Sequence, residues 1–469
     1  MFFRQIFDPS LAQYAYLIGC QRTGEALLID PERDIDRYVA MAAEEDLTII
    51  AVTETHIHAD YLSGVREFAH RYGVIAYLSD EGDADWRYEW AGEEGIKTVL
   101  LKHGNTFDVG NIRFEAVHTP GHTPEHMAFL VTDLGGGASE PMGMASGDFV
   151  FVGDLGRPDL LESAAGVKGA MEPSAHRLYG SVQQFLSSDD GLQIWPGHGA
   201  GSACGKALGA VPMTTAGYEK QNSAAFLAAA EGEDAFVRFI LDGQPEPPPY
   251  FATMKRLNKV GPPLLGALPT PERLDGAQLA AVARDPKRFV LDLRTDRIAY
   301  LAGHLKGSIF APLIKSFTTV AGSFVGETDE MVLIVEQAQL ERAVTELIRI
   351  GLDHIVGWAP PEALEGLDLV SIEEVAFDAV DGLRDGGAAI LDVRGLSEYR
   401  EGHVPGSTNI SHKRLLARSD EIPAQDPLVV YCRTGERAAS TVSLLERMGR
   451  RAILVNDLVD DYPSLTRKD

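Results

Sequence analysis

The stretch THIHADY, Thr55 to Tyr61, decides how the first half of this sequence is interpreted. It holds two histidines one residue apart and then a carboxylate, directly after the β-branched run TIIAVTE, which predicts a strand. Open α/β sheets place their functional sites at the carboxyl ends of strands. The stretch therefore predicts a metal site. It also raises a question, because Tyr61 stands where a third imidazole would complete a second metal position.

Three more motifs with candidate ligands follow in the same part of the chain. Glycine or proline stands beside them, as expected of loops that turn a side chain sharply towards one point. A single such histidine is as easily a surface residue, whereas the ordered set favours one site. The candidates are His118, His122 and His126 in HTPGHTPEH, Asp148, Asp154, Arg157 and Asp159 in SGDFVFVGDLGRPD, and His198 in WPGHG.

Composition limits the class of protein. The chain has 469 residues, more than the ~250 to 300 at which single cores stop growing, so two or three domains are expected. A formal charge of −27 argues against nucleic acid or an anionic membrane as a partner. The sequence shows no signal-like N-terminus and no long apolar run, so we expect a cytoplasmic protein without membrane spans. Three widely spaced cysteines exclude a disulfide framework.

The domain organisation follows from patterning and an internal repeat. Strand-like runs that alternate with helical stretches predict an α/β arrangement for residues 1–245. The proline-rich segment 246–270 predicts an extended linker. Beyond it, FVLDLRTDRIAYLAGHLKGSI is echoed about a hundred residues later by AILDVRGLSEYREGHVPGST. This duplication predicts two α/β domains with parallel sheets, at residues 271–362 and 370–469.

Taken in order, THIHAD, GHT, SGD and GHG resemble the metallo-β-lactamase superfamily over residues 1 to about 245. The resemblance implies an αββα sandwich, of α+β character, ahead of the two α/β domains. Members with two zinc ions usually carry histidine where this chain has Tyr61. A phenol, with a pKa near ~10, is a poorer ligand at neutral pH, so one metal is expected and the second position is expected to be empty.

Within that superfamily, THIHAD with GHT, SGD and GDLGRPD looks most like the persulfide dioxygenases, which use a single ferrous iron. The resemblance implies one Fe(II) per chain, with His56, His122 and Asp148 as ligands. Two histidines and a carboxylate leave cis coordination positions open for O2 and a sulfur substrate, and zinc could not activate dioxygen. Three other residues of these motifs are His58, Asp60 and His198. We expect them to orient the ligands and to hold water or substrate, or alternatively to bind a second metal.

Two further residues of the first domain have open roles. Arg157 is placed to attract an anionic persulfide or the emerging sulfite, or else to staple its loop through an ion pair with Asp159. Cys204, in GHGAGSACGK, is either a second sulfur carrier, with Lys206 favouring its thiolate, or a passive small residue in a loop. Cys20 is expected to be a core residue.

The string LVVYCRTGERAAS, Leu428 to Ser440, predicts a strand that delivers Cys432 into a glycine-containing loop opening a helix. Backbone N–H groups of such a loop and the helix N-terminus favour a thiolate or a persulfide, and Arg433 and Arg437 add positive charge. With ILDVR and EGHVPGS upstream, the module resembles a rhodanese, in which the cysteine carries sulfane sulfur as a persulfide. In the middle copy Glu336 stands at the position of the cysteine, so that domain is expected to be inactive.

The whole arrangement resembles the bacterial persulfide dioxygenase/rhodanese fusion proteins of sulfide detoxification. This implies oxidation of low-molecular-weight thiol persulfides with O2 to sulfite, and sulfur transfer among thiol persulfide, sulfite and thiosulfate at Cys432. We expect small-molecule partners and a homo-oligomer. Two alternatives stay open: a glyoxalase II-like thioester hydrolase with two zinc ions, fused to a sulfurtransferase, and a non-enzymatic scaffold of tandem rhodanese modules.

Overall fold

The computed structural model of the chain describes residues 1–164 and 168–466. It divides into two compact units, Met1–Leu268 and Pro269–Asp469. Residues 467–469, the end of the predicted C-terminal domain, lie outside the described residues. None of the described helices combines the length with the apolar character that a bilayer crossing requires.

The first unit is built on two six-stranded sheets, each with its strands adjacent in chain order. The first sheet contains β1 (Phe2–Asp8), β2 (Gln13–Cys20), β3 (Glu25–Ile29), β4 (Thr48–Thr53), β5 (Ile75–Ser79) and β6 (Lys97–Leu101). The second contains β7 (Thr106–Val109), β8 (Ile112–His118), β9 (Met127–Asp133), β10 (Gly143–Gly147), β11 (Gln193–Pro196) and β12 (Thr214–Thr215). The helices are α1 (Asp36–Ala43), α2 (Val65–Tyr72), α3 (Leu160–Ser163), α4 (Met171–Phe185), α5 (Ala216–Asn222), α6 (Ala224–Ala230), α7 (Glu233–Leu241) and α8 (Phe251–Val260).

Strand β2 shows how the layers pack, because its side chains alternate between two cores. Leu17 belongs to a cluster with Tyr38 of α1, whereas Tyr16 belongs to a cluster with Phe129 of β9, between the sheets. All residues of β2 are buried because both of its faces are covered. A third cluster joins the second sheet to Leu178 of α4 and to later helices. The predicted αββα sandwich is confirmed.

The predicted linker, residues 246–270, differs from the structure in its middle part. FATMKRLNKV contains no proline and forms helix α8, which packs within the first unit. Asn258 of this helix is buried, and its side-chain oxygen accepts a hydrogen bond from the backbone N–H of Ser63 at 2.9 Å. Its amide nitrogen donates to the backbone oxygens of His58 at 2.8 Å and Tyr61 at 2.7 Å. The extended-linker prediction is therefore wrong for α8, which holds the THIHADY loop.

The second unit contains two five-stranded parallel sheets of identical topology, β13-β17-β16-β14-β15 and β18-β22-β21-β19-β20. The first set is β13 (Glu272–Arg273), β14 (Arg288–Asp292), β15 (Ile309–Phe310), β16 (Glu330–Ile334) and β17 (Ile355–Ala359). The second set is β18 (Glu373–Val375), β19 (Ala389–Asp392), β20 (Thr408–Asn409), β21 (Leu428–Tyr431) and β22 (Ala452–Val455). The helices are α9 (Gly276–Ala283), α10 (Arg297–Ala302), α11 (Phe317–Phe324), α12 (Leu340–Arg349), α13 (Val380–Asp385), α14 (Leu396–Glu401) and α15 (Glu436–Arg447).

Residues matched by the sequence repeat make the same contacts in both copies. Arg294 donates to Asp292 at 2.7 Å, and Arg394 donates to Asp392 at the same distance. Each guanidinium also donates to the backbone oxygen of the glycine that directly follows the next helix, Gly303 after α10 and Gly402 after α14. The repeat thus corresponds to a duplicated structural unit, as the sequence predicts.

Candidate functional site

Three candidate ligands meet at the ends of strands in the first unit. His56 follows β4, Asp148 follows β10, and His122 lies in the loop between β8 and β9. Their ligand atoms lie within 4.8 Å of one another, and all three residues are buried. Asp148 Oδ2 is 3.4 Å from His122 Nε2 and 4.0 Å from His56 Nε2. The structure brings together the three residues that the resemblance implied as ligands.

Both histidines of this cluster direct an unprotonated Nε2 towards its centre. His122 Nδ1 donates to the backbone oxygen of Arg157 at 3.1 Å. His56 Nδ1 lies 3.0 Å from Thr55 Oγ1, whose own hydrogen is donated to Asp30. With Nδ1 protonated, Nε2 of a neutral imidazole carries a free lone pair. Burial lowers the pKa of both His56 and His122, which favours the neutral form that binds metals.

The Asp148 carboxylate indicates that a cation belongs in the site. Both of its side-chain oxygens are buried and make no hydrogen bond to a described residue. A buried carboxylate in that state is costly unless a cation neutralises it. Two imidazole nitrogens and a carboxylate oxygen suit a divalent transition metal. The residues present therefore fit a metal ion held by His56, His122 and Asp148.

A second cluster adjoins the first and consists of Asp60, His198 and Cys204, whose ligand atoms also lie within 4.8 Å of one another. His198 Nε2 is 3.2 Å from Asp60 Oδ2 and 3.5 Å from Asp148 Oδ1. Asp148 therefore faces both clusters, with one oxygen towards each. Burial lowers the pKa of His198, but the neighbouring carboxylates of Asp148 and Asp60 outweigh this and raise it well above its usual range.

Tyr61 and His58 join neither cluster. The Tyr61 hydroxyl lies 3.0 Å from His58 Nε2 and accepts a hydrogen bond from Gln13 at 3.2 Å. His58 Nε2 also lies 3.1 Å from Asp30 Oδ1, and its ring packs on His56 with centroids 4.2 Å apart. Burial raises the pKa of Tyr61 well above its usual value, so it remains a neutral phenol. These two side chains support the ligand loop without reaching the metal position.

Close packing of backbone fixes Asp148. Its N–H donates to Nε2 of His126 at 3.0 Å, and the protonated Nδ1 of that ring lies 2.7 Å from Thr119 Oγ1. A Cβ atom at Gly156 would lie 1.7 Å from the backbone oxygen of Asp148, and one at Gly197 would lie 2.6 Å from Oδ1. Gly156 in GDLGRPD and Gly197 in WPGHG are thus required by their close approach to this one aspartate.

The contacts of Arg157 favour one of the two roles left open for it. This side chain is buried, and its Nε and Nη2 donate to the two carboxylate oxygens of Asp159 at 2.7 and 2.6 Å. Its Nη1 donates to the backbone oxygen of Ala203 at 3.0 Å. The loop-stapling alternative is therefore the one that the geometry supports. Because Ala203 precedes Cys204, Arg157 also fixes the loop that carries this thiol.

The surroundings of Cys204 differ from expectation. Lys206 donates to the backbone oxygens of Phe239 and Asp242 and is engaged there rather than with the thiol. Burial raises the pKa of Cys204 to about 12. The prediction that Lys206 favours a Cys204 thiolate is wrong, because the ammonium is held by these carbonyls.

Cys432 lies between β21 and α15, as its motif predicts. The thiol is buried, with 1% of the residue exposed. Arg433 is exposed, whereas Arg437 forms a bidentate ion pair with Glu398 at 2.6 and 2.8 Å. Glu336 is exposed at the end of β16, where the middle copy has no thiol.

Three residues of these sites were missed by sequence reasoning. Asp30 follows β3 and binds the backbone N–H of Thr55 at 2.6 Å, and the strand-end rule applied to LLIDPE could have found it. Asn258 and Glu398 carried no local signal, since each is one of several polar residues on its helix.

The metallo-β-lactamase superfamily model matches residues 9–198, and the rhodanese-like domain model matches residues 377–458. The crystal structure of a metallo-β-lactamase from Staphylococcus aureus subsp. aureus COL is 42% identical, with a TM-score of 0.69; the match covers 77% of this chain and 99% of that one. The chain belongs to the metallo-β-lactamase superfamily. The chain also carries a rhodanese-like domain, and the two family-model matches together indicate an enzyme.

Curated relatives match the metallo-β-lactamase part of the chain. The mitochondrial persulfide dioxygenase ETHE1 of Bos taurus is 29% identical over 202 residues, which are 42% of this chain and 67% of that protein. The hydroxyacylglutathione hydrolase GloC of Haemophilus influenzae is 26% identical over 210 residues, 42% of this chain and 85% of that protein. The chain spans 45% of the length of a β-lactamase hydrolase-like protein of Xylella fastidiosa.

The packing around Asp148 generates a prediction. Gly156→Ala forces the Asp148 backbone to move, so we expect metal affinity to fall by roughly ten- to hundredfold, as for other disturbed supports of a ligand. Gly180→Ala, inside α4 with open space around the new Cβ, is the matched control and should leave metal content unchanged. Metal per chain, measured by mass spectrometry alongside circular dichroism, distinguishes them. A folded Gly156→Ala protein with full metal content contradicts the prediction.

Proposed function

We propose that the chain is a non-haem iron persulfide dioxygenase coupled to a thiosulfate sulfurtransferase. At the first site a thiol persulfide is oxidised according to RSSH + O2 + H2O → RSH + HSO3⁻ + H⁺. The sulfane sulfur loses four electrons in this step, and O2 accepts them. The proposal assigns His56, His122 and Asp148 as ligands of one ferrous iron, and Cys432 as the sulfur carrier of the second site.

The observation that carries the proposal is the His56, His122 and Asp148 cluster, with Tyr61 engaged elsewhere. Two neutral imidazoles and one carboxylate suit a mononuclear ferrous site with open coordination positions. Bound iron would supply those positions and the one-electron redox chemistry that O2 activation requires. The similarity to the bovine persulfide dioxygenase supports the same assignment.

The residues of this chain orient the ligands and exclude bulk water. Thr55 and the backbone oxygen of Arg157 hold the two ligand imidazoles in the tautomer with Nε2 free. His126 and the close glycines hold Asp148. The ligands are buried, so solvent competes little with O2 and persulfide for the open positions. Arg157 staples a loop and is not assigned to the substrate.

Sulfur transfer is assigned to Cys432. A persulfide on this residue passes its outer sulfur to sulfite, Cys–S–S⁻ + SO3²⁻ → Cys–S⁻ + S2O3²⁻, and the reverse step loads the cysteine from thiosulfate. Arg433 is exposed and available to the dianion, while Arg437 is paired with Glu398. Sulfite made at one module is a substrate of the other, and one chain raises the effective concentration of this shared intermediate. Sulfide detoxification in the cytoplasm, in a homo-oligomer, remains our expectation.

A second candidate function is favoured by the cluster of Asp60, His198 and Cys204. These three side chains and Asp148 Oδ1 offer two carboxylates, an imidazole and a thiol, which is a set that suits zinc. Asp148 would then contribute one oxygen to each cluster, and two zinc ions held there would supply the hydrolytic chemistry of a glyoxalase II-like thioester hydrolase. The similarity to the Haemophilus hydrolase agrees with this candidate. The attached Cys432 module favours the oxygenase.

The oxygenase is tested by O2 uptake. Protein purified without air is expected to contain one iron per chain and to consume one O2 for each glutathione persulfide, with sulfite as product. An oxygen electrode and metal analysis by mass spectrometry measure both quantities. Stoichiometric zinc with hydrolysis of S-lactoylglutathione and no O2 uptake would overturn the proposal in favour of the dizinc hydrolase.

The sulfur carrier is tested by two matched thiol variants. Cys432→Ser should abolish transfer from thiosulfate to cyanide and leave most O2 consumption, because the thiol acts after the oxidation. Cys204→Ser should retain transfer, since burial keeps that thiol protonated. Cyanide-dependent thiocyanate formation measures transfer. Transfer that survives in Cys432→Ser and disappears in Cys204→Ser would assign the carrier role to Cys204 instead.

A further inference from the structure

The helix that follows the Cys432 loop is held along its length by the middle copy of the repeat. Helix α15 begins at Glu436, directly after the loop, and ends at Arg447. Residues of the copy at 271–362 contact it from its first turn to its last. The contacts towards its C-terminal end are Phe310 N–H to Ser443 Oγ at 3.0 Å, Gly307 N–H to Glu446 Oε1 at 2.8 Å, and Arg447 Nη2 to the backbone oxygens of Pro286 and Arg288 at 2.8 and 2.9 Å.

Two further contacts of the middle copy reach the loop and the first residue of the helix. Arg297, the first residue of α10, donates from Nη1 to the backbone oxygen of Thr434 at 3.1 Å. Ser316 Oγ donates to the carboxylate of Glu436 at 3.0 Å. Thr434 is the second residue after Cys432, so a side chain 137 residues distant in sequence binds the backbone beside the thiol.

These contacts set the direction of two successive peptide groups. The backbone oxygen of Arg433 accepts from the N–H of Val459 at 3.0 Å, and that of Thr434 accepts from Arg297. In a planar trans peptide the N–H points opposite to the carbonyl. The N–H groups of Thr434 and Gly435 therefore point away from Val459 and Arg297. One of the two carbonyl anchors belongs to the C-terminal domain, and the other comes from the middle domain.

The Cys432 loop is closely packed against its neighbours at Gly435. This residue has φ +85°, a left-handed conformation that side chains disfavour, and a Cβ there would lie 2.6 Å from Asn456 Oδ1 and 3.4 Å from Arg297 Nη1. Arg297 is half-buried, and its Nε is buried without a hydrogen bond to a described residue. The guanidinium thus lies against the loop, with one of its donors on the Thr434 carbonyl.

We propose that the middle domain completes the sulfur-transfer site, with Arg297 as a positioning residue for the Cys432 loop. The inference rests on the proposed role of Cys432 and gives the thiol-free domain a function. A cation on the Thr434 carbonyl polarises the peptide and strengthens the N–H of Gly435 as a donor. That N–H and the N-terminus of α15 favour negative charge on the sulfur in both its thiolate and its persulfide form.

Variants of Arg297 in the full-length chain test this role. Arg297→Met keeps an unbranched, flexible side chain and removes the charge and the donor, so alkylation of Cys432 by iodoacetamide at neutral pH should slow by roughly tenfold. The midpoint of the alkylation rate against pH should move upward. Arg297→Lys keeps one cationic donor and should restore most of the rate. Peptide mass spectrometry follows Cys432 separately from the other two cysteines.

Arg284→Met is the matched control, because Arg284 is an exposed arginine of the same domain at the end of α9. A loop that is merely loosened would change the melting temperature or the rate at high pH but leave the midpoint in place. An Arg297→Met midpoint and rate equal to those of Arg284→Met would overturn the inference. Alkylation requires no sulfur transfer, so a chain that lacks transfer while its midpoint still depends on Arg297 contradicts the proposed function alone.

Discussion

A buried carboxylate with no hydrogen bond to a described residue, Asp148, is the constraint on which the first unit depends. An uncompensated charge in that position costs several kcal/mol, and a cation among the neighbouring imidazoles removes the cost. Several neighbouring residues hold Asp148 in place: His126 accepts a hydrogen bond from its N–H, and Gly156 and Gly197 leave the space that it occupies. Metal binding and stability of the unit are therefore coupled through Asp148.

Much of the metal site could be predicted from sequence, because its ligands lie at strand ends beside glycine or proline. The same rule could not show that Arg157 is held by Asp159, since loop stapling and substrate binding need the same residue types. Nor could it find α8, where Asn258 supports the ligand loop from a segment between proline-rich stretches. Local composition does not report a hydrogen bond between residues 200 positions apart.

In the second unit, too, local structure could be predicted from the sequence, whereas contacts between distant residues could not. The strand, loop and helix around Cys432 are readable from one short motif, and the duplicated topology follows from the repeat. The contact of Arg297 with Thr434 could not be predicted from the sequence, because it is a single hydrogen bond between residues 137 positions apart in the two copies. The copy that has Glu336 at the position of the thiol thus supplies a hydrogen bond to the loop of the copy that carries Cys432.

The central claim is that His56, His122 and Asp148 hold one iron, while the neighbouring cluster of Asp60, His198 and Cys204 holds no metal. Anomalous diffraction from crystals grown without air, recorded at the iron and zinc absorption edges, tests it most directly. We predict a single iron peak per chain among the first three residues. Two zinc peaks, one on either side of Asp148, would contradict the account and identify a dinuclear hydrolase.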